Sequence, residues 1–69
     1  MKVDKSKMDL AMARCCLGVP QLAHKAEMPA QTVNGALRGR NIRPATLGKL
    51  AHALGVDPEE LLEGGDKNG

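Results

Sequence analysis

Three arginines lie within six residues near the middle of the chain, at Arg38, Arg40 and Arg43. A guanidinium group stays charged at neutral pH and donates paired hydrogen bonds to phosphate oxygens. Clustered arginines therefore supply affinity for a nucleic-acid backbone that does not depend on base sequence. Residues 14–52 contain six Lys and Arg against one Glu, whereas residues 53–69 contain five Asp and Glu against one Lys. This uneven charge predicts a polyanionic partner that contacts the basic centre.

The remaining reactive side chains do not form a pattern typical of catalysis or metal binding. Ser6 is the only serine, and no histidine stands at a triad-like spacing. Cys15 and Cys16 are adjacent, so a disulfide between them would be strained, and we expect reduced thiols in a reducing cytosol. The spacing of these cysteines and of His24 and His52 is unlike that of a zinc site. The sequence therefore predicts no enzyme, no metal and no cofactor.

Length and composition exclude further classes of protein. Sixty-nine residues suffice for one small domain, and we assign residues 1–63 to it and residues 64–69 to a flexible tail. The chain contains no Phe, Tyr or Trp, so it lacks the aromatic platforms on which single-strand binders stack bases. No segment has the pattern of a membrane span or a secretion signal, which predicts a cytoplasmic protein without a membrane partner.

Apolar residues recur at helical spacing and predict an all-α fold of five short helices. Ser6 is expected to cap a first helix that ends near residues 17–18. The second helix begins around Pro20, because proline is tolerated in a first turn. The third is expected over residues 30–37, and Gly39 ends it in a left-handed conformation.

The fourth and fifth helices have stronger boundary patterns. Pro44 opens the fourth helix and Gly55 closes it. Between them the i, i+3, i+4, i+7 rule is satisfied by Leu47, Leu50, Ala51 and Leu54. The run Asp57-Pro58-Glu59-Glu60 combines an N-cap, a first-turn proline and a third-position glutamate. It predicts a fifth helix of about a turn and a half.

Two strings resemble a known family, LGVPQLAHKA at residues 17–26 and LAHALGV at residues 50–56. With Gly39 and Pro44 between them, they are similar to the Cro/C1-type (XRE) helix-turn-helix family, represented by the lambdoid phage repressors. The spacing matches without gaps over nearly the whole chain. The resemblance implies a compact five-helix domain of the lambda-repressor type, with the helix-turn-helix at about residues 18–38.

The resemblance also implies binding to double-stranded DNA, commonly as a homodimer on a palindromic operator. The family's base-reading positions fall on Ala30, Gln31 and Gly35, and their neighbours Thr32 and Asn34 are added as base contacts. Of the three matched positions only Gln31 has a side chain that pairs with a base edge, ideally adenine N6 and N7. The positions that contact the DNA backbone fall on Val19, Gln21, Arg38, Arg40, Asn41 and Arg43.

The sequence departs from the family pattern around the turn and in the core. Glu27 stands where the family usually has Gly, at a site that often needs positive φ, which costs other residues about 1 kcal/mol or more. Pro29 replaces the usual Ser or Thr cap. The family's buried Arg–Glu pair falls on Met12 and Leu37, two apolar residues that we expect to be in contact.

These observations predict a sequence-specific transcriptional regulator, namely a repressor that occludes its operator as a dimer. One alternative is an antitoxin-like or adaptor role, in which an unknown protein partner is the main ligand and DNA is secondary. Another is a helical protein-interaction module whose third helix has lost base recognition, as Ala30 and Gly35 would allow. Selection from random DNA duplexes separates these hypotheses, because only the regulator enriches a sequence.

Overall fold

The computed structural model describes residues 1–63 as an all-α domain, as the sequence predicted. Four α-helices are followed by one short 3₁₀ helix. Their bounds are α1 Lys5–Cys15, α2 Val19–Lys25, α3 Ala30–Leu37, α4 Pro44–Leu54 and the 3₁₀ helix Pro58–Leu61. The tail predicted for residues 64–69 lies outside the described residues.

The helices share one core built from aliphatic side chains and methionine. Its most deeply buried large residues are Val3, Met8, Leu22, Val33, Leu50 and Leu61. Fully burying a side chain of this size contributes about 1.5–3 kcal/mol to folding. Through this core, α2 packs against α3 and α4, and α1 packs against α3, α4 and the 3₁₀ helix. The core therefore holds the α2–α3 pair on a rigid support.

Both residues expected to replace a buried ion pair take part in this packing. Met12 is buried, and Leu37 is half-buried and packs against the core cluster. They lie on α1 and α3, which are in contact. Their direct contact remains a prediction, since these observations concern the helices and the core as a whole.

The first helix begins differently from the sequence expectation. Ser6 was expected to cap it, but Asp4 is the N-cap and Ser6 lies within the first turn. The Asp4 carboxylate accepts a hydrogen bond from the Lys7 backbone N–H at 3.1 Å. The expectation for Ser6 was wrong because the helix already begins at Lys5, where Asp4, an equally suitable N-cap residue, precedes it.

Each α-helix is followed by a residue in the left-handed conformation, namely Cys16, Glu27, Gly39 and Gly55. The φ angles are 57° for Cys16, 57° for Glu27, 85° for Gly39 and 70° for Gly55. Positive φ was expected at Gly39 from the sequence and at Glu27 from the family resemblance, and both are observed. Gly55 was expected to close the fourth helix, and it does so with positive φ. The Cys16 turn was not expected, and it ends α1 before residues 17–18.

The fifth helix is a 3₁₀ helix of four residues rather than a turn and a half of α-helix. Its start is as predicted, with the Asp57 backbone N–H donating to Glu60 Oε2 at 3.1 Å. The chain then extends at Leu62, which forms an isolated antiparallel bridge with Val3. The Asp4 N–H donates to the Leu61 carbonyl at 2.8 Å. Pairing with the N-terminal segment thus replaces further helical hydrogen bonds.

Candidate nucleic-acid interface

The first part of the site is the α2–turn–α3 unit. Leu22 on α2 and Val33 on α3 are fully buried and hold the two helices to the core. The side chain of Gln21 caps α2, because its Oε1 accepts a hydrogen bond from the Gly18 backbone N–H at 3.1 Å. The predicted backbone-contacting Gln21 therefore retains its amide NH₂ group as the donor for a phosphate. Pro29 is the N-cap of α3 and makes no side-chain capping bond, as expected.

One face of α3 is buried and the other is open. Val33 and Ala36 face the core, whereas Ala30, Gln31 and Asn34 are exposed. Thr32 and Gly35 are half-buried. The five positions predicted to contact bases thus lie on or beside one accessible helix surface, and the helical period separates them from the core residues.

The loop after α3 presents the predicted backbone-contacting side chains. Arg38, Arg40, Asn41 and Arg43 are all exposed. The loop is tied to the start of the chain, because the Ile42 N–H donates to the Met1 carbonyl at 2.7 Å. The Met1 ammonium also donates to Asn41 Oδ1 at 3.4 Å and to the Ile42 carbonyl at 3.2 Å.

Sequence reasoning missed this role of the first residues in holding the loop. The available signal was Val3, an apolar residue ahead of the first helix that belongs to no helical pattern. Val3 is fully buried, and Ile42 packs against the same core from the loop. Two apolar anchors thus bring the N-terminal segment and the loop together.

Two shallow clefts run along the exposed side of α3. One of about 240 Å³ is lined by Gln31, Thr32, Gly35, Arg40, Asn41 and Ile42. The other, of about 390 Å³, is lined by Gln31, Asn34, Gly35, Arg38 and Arg40. Three residues line both clefts, namely Gln31, Gly35 and Arg40. The structure thus brings amide and guanidinium donors together around a glycine.

The other predicted contacts lie outside these two clefts. Val19 is half-buried at the start of α2, beside the exposed Gln21. Ala30 is the exposed first residue of α3, and Arg43 is the N-cap of α4. These residues lie on α2, on α3 and at the start of α4, so contacts through all of them would need a ligand that extends along the protein surface.

The electrostatic character of the two clefts is uniform. Their linings contain Arg38 and Arg40 and no Asp or Glu. The predicted acidic segment lies on the 3₁₀ helix instead, where Glu59 and Glu60 are exposed. The arrangement can attract an anion and donate hydrogen bonds to it, with the amides of Gln31 and Asn34 offering both donors and acceptors.

The described residues show no comparable grouping of side chains for metal binding. Within residues 1–63, no three His, Cys, Asp or Glu side chains are grouped so that they could hold a metal ion. Cys15 and Cys16 are free thiols, and the Cys15 Sγ donates to the Leu54 carbonyl at 3.4 Å. None of the helices in this part of the chain is long and apolar enough to cross a membrane.

Comparison with known proteins places these features in a family. A family model described as helix-turn-helix, of the Cro/C1 type, matches residues 10–61. Among solved structures, the domain is similar to Phpd with cadmium complexed with hydroethylphosphonate (HEP), with a TM-score of 0.78 and 28% sequence identity. That match covers 91% of this chain and 14% of the Phpd chain, so the domain spans a small part of that protein's length. No curated protein sequence matches this chain.

Proposed function

The chain belongs to the Cro/C1-type helix-turn-helix family, and we propose that it is a DNA-binding regulator that recognises a specific duplex sequence and represses transcription. The observation that carries this proposal is the grouping of Gln31, Asn34, Arg38 and Arg40 along one exposed side of α3. An α-helix fits the major groove, where each base pair presents a distinct set of donors and acceptors.

In the proposed complex, α3 lies in the major groove and Gln31 pairs with the N6 and N7 atoms of an adenine. Thr32 and Asn34 contact neighbouring bases, and Ala30 and Gly35 allow the helix to approach closely. The loop and the start of α2 contact the sugar-phosphate backbone. The residues proposed for this contact are Val19 through its amide, Gln21, Arg38, Arg40, Asn41 and Arg43.

We further propose that the protein binds a palindromic operator as a homodimer. A cleft of about 300 Å³, which shares no lining residue with the two clefts beside α3, supports a surface for the second copy. It is lined by apolar residues of α1 and the 3₁₀ segment together with Lys7, Arg14 and Glu60. Leu10, which lines this cleft, is 59% exposed, so a large apolar side chain is available for contact with a second copy. Opposite charges flanking an apolar cleft suit a two-fold contact, in which each patch meets its own copy.

Binding of the dimer to its operator would be sufficient to repress transcription. A dimer that covers two successive major-groove segments blocks polymerase at the same site, and no catalytic step is needed. The cytoplasm is the proposed location, because a repressor that acts by occlusion must reach both its operator and the polymerase.

Selection from a pool of random duplexes tests the proposal of sequence-specific binding. We expect a palindromic motif, with binding that weakens steeply as salt rises. Gln31→Ala should relax the preference at one base pair of each half-site, by about 1–3 kcal/mol. The control is Glu59→Ala, on the exposed surface of the 3₁₀ helix, which should leave the motif unchanged. If no sequence is enriched at low salt, the proposed function is wrong.

Sedimentation velocity on the selected duplex tests the dimer. Leu10→Glu should shift the complex from two protein copies per duplex to one, because a charge in the apolar cleft would oppose its burial. Ala13→Glu places the same charge at an exposed position of the same helix outside the cleft and should retain two copies. Two copies bound by both variants would locate the dimer contact elsewhere.

The second candidate function is a protein-interaction module, either adaptor or antitoxin-like. The likeness to Phpd favours it, because in that protein this fold makes up a minor share of a longer chain described with cadmium and a phosphonate. A helix-turn-helix fold can therefore occur in a protein whose described ligands are not DNA. Failure of the random-duplex selection at low salt would favour this second function.

A further inference from the structure

The end of α3 fixes the position of Arg40 more closely than a flexible loop would. The Gly39 N–H donates to the Ala36 carbonyl at 3.1 Å, and the Arg40 N–H donates to the Gly35 carbonyl at 3.0 Å. With Gly39 at φ 85°, these two bonds form a Schellman motif. The backbone of Arg40 is thereby held against the last turn of α3.

The side chain of Arg40 then folds back over the helix. A Cβ atom placed on Gly35 would lie 3.5 Å from Arg40 Cδ, and it would meet no other group within 4 Å. The aliphatic stem of Arg40 thus lies beside the one position of the outer α3 surface that has no side chain. The Arg40 side chain lies on the same surface as Gln31, since both residues line the two clefts.

We propose that Arg40 reads a base edge, and that its target is a guanine next to the base pair contacted by Gln31. An arginine can donate two parallel hydrogen bonds to guanine O6 and N7, which is the commonest specific contact in the major groove. This inference rests on the proposed function. It extends the role predicted for Arg40 from the sequence, which was a contact with the DNA backbone alone.

The position of the Arg40 stem beside α3 explains a glycine at residue 35. The resemblance places Gly35 at a base-reading position, where glycine itself offers no hydrogen-bonding side chain. A long residue at this position would occupy the space into which the stem of Arg40 folds. Gly35 therefore acts as a positioning residue, and the reading group comes from the loop instead of from the helix.

The test is selection from random duplexes with the wild-type chain and three variants. Arg40→Ala should reduce the preference for one G·C pair, next to the pair that Gln31→Ala affects, by about tenfold or more. Arg40→Lys should weaken this preference less than Arg40→Ala, because lysine also donates to guanine O6 and N7. Arg40→Lys keeps the positive charge and removes the planar fork, so it separates base reading from general attraction. Arg43→Ala is the matched control, because Arg43 is an exposed arginine of the same loop that lines neither cleft.

The outcomes distinguish this inference from the proposed function. If the wild-type chain enriches a motif and Arg40→Ala lowers affinity equally on all sequences, as Arg43→Ala should, the base-reading role is overturned while the function stands. Retention of the full guanine preference by Arg40→Ala also overturns it. If the wild-type chain enriches nothing, the proposed function fails and this inference fails with it.

Variants of Gly35 provide an independent test that leaves Arg40 in place. Gly35→Ala should raise the unfolding temperature and keep the guanine preference, since its Cβ would be at ordinary contact distance from Arg40 Cδ. Gly35→Leu should also preserve the helix but lose the same preference as Arg40→Ala, because its branched side chain would displace the arginine stem. A Gly35→Leu protein that folds and keeps the guanine preference would contradict the proposed geometry.

Discussion

The ends of α2 and α3 have the same hydrogen-bond pattern but different residues. At the end of α2 the Met28 N–H donates to the Ala23 carbonyl at 3.0 Å. At the end of α3 the Arg40 N–H donates to the Gly35 carbonyl in the same way. The left-handed residue is Glu27 in the first case and Gly39 in the second. The residue that follows is half-buried Met28 at one end and exposed Arg40 at the other.

This difference indicates what holds each turn in place. Met28 packs against the hydrophobic core, and burial of an apolar residue at this position commonly accompanies the motif. That packing offsets the strain of a left-handed Glu27. Arg40 is exposed to solvent, so the residue directly after Gly39 is not anchored in the core, and the left-handed position is occupied by a glycine that adopts it without strain. The α2 end is thus fixed by the core, whereas the α3 end leaves its side chain free for a ligand.

The largest effect is expected at Gly39. Gly39→Ala should lower the free energy of unfolding by about 1–2 kcal/mol, because alanine is strained at a φ of 85°. It should also weaken binding to the selected duplex, since the turn positions Arg40. Chemical denaturation measures the first change, and titration of the duplex at fixed salt measures the second.

Gly55→Ala is the matched control for Gly39→Ala. Gly55 has a φ of 70° after α4, and a Cβ at either glycine would meet nothing within 4 Å. Both substitutions therefore carry a backbone cost without a steric clash. The Gly55 variant should lose similar stability and retain its affinity for DNA. Equal loss of affinity in both variants would show that the turn after α3 has no special role in binding.

Much of this fold could be predicted from local patterns. The 3.6-residue period located the helices and their buried residues, because each helix needs one apolar face. Gly39 and Gly55 marked two helix ends directly, since glycine adopts left-handed conformations at little cost. Glu27 was placed in a left-handed turn only through the family resemblance, because nothing in the residue type itself indicates positive φ.

The features that could not be predicted depend on contacts between distant parts of the chain. The left-handed Cys16 is followed by Leu17, which packs against the core, and this packing is visible only in the folded domain. The pairing of Val3 with Leu62 shortens the last helix, although the local sequence favours a longer one. The approach of Arg40 to Gly35 likewise arises from the turn geometry. The sequence predicted which residues could bind DNA, and the structure adds how their side chains are arranged.

The smaller effect is expected at Glu27. Glu27→Gly should raise the free energy of unfolding by about 0.5–1 kcal/mol, because it relieves the strain of the left-handed conformation. The gain is partly offset, since glycine increases the conformational entropy of the unfolded chain. Glu27 is exposed, so the substitution removes little packing. The midpoint of its denaturant-induced unfolding should shift to a higher denaturant concentration, and the m-value should be unchanged.

Glu27→Ala separates backbone strain from the loss of a negative charge near the basic interface. Alanine removes the carboxylate but keeps a Cβ, so its stability should remain near that of the wild type. Both variants should bind DNA slightly better than the wild type and by equal amounts, because each removes the same charge. If alanine stabilises the domain as much as glycine does, the charge of Glu27 and not its φ of 57° limits stability. The core-anchored turn after α2 would then be unstrained, and the contrast with the turn after α3 would rest on Arg40 alone.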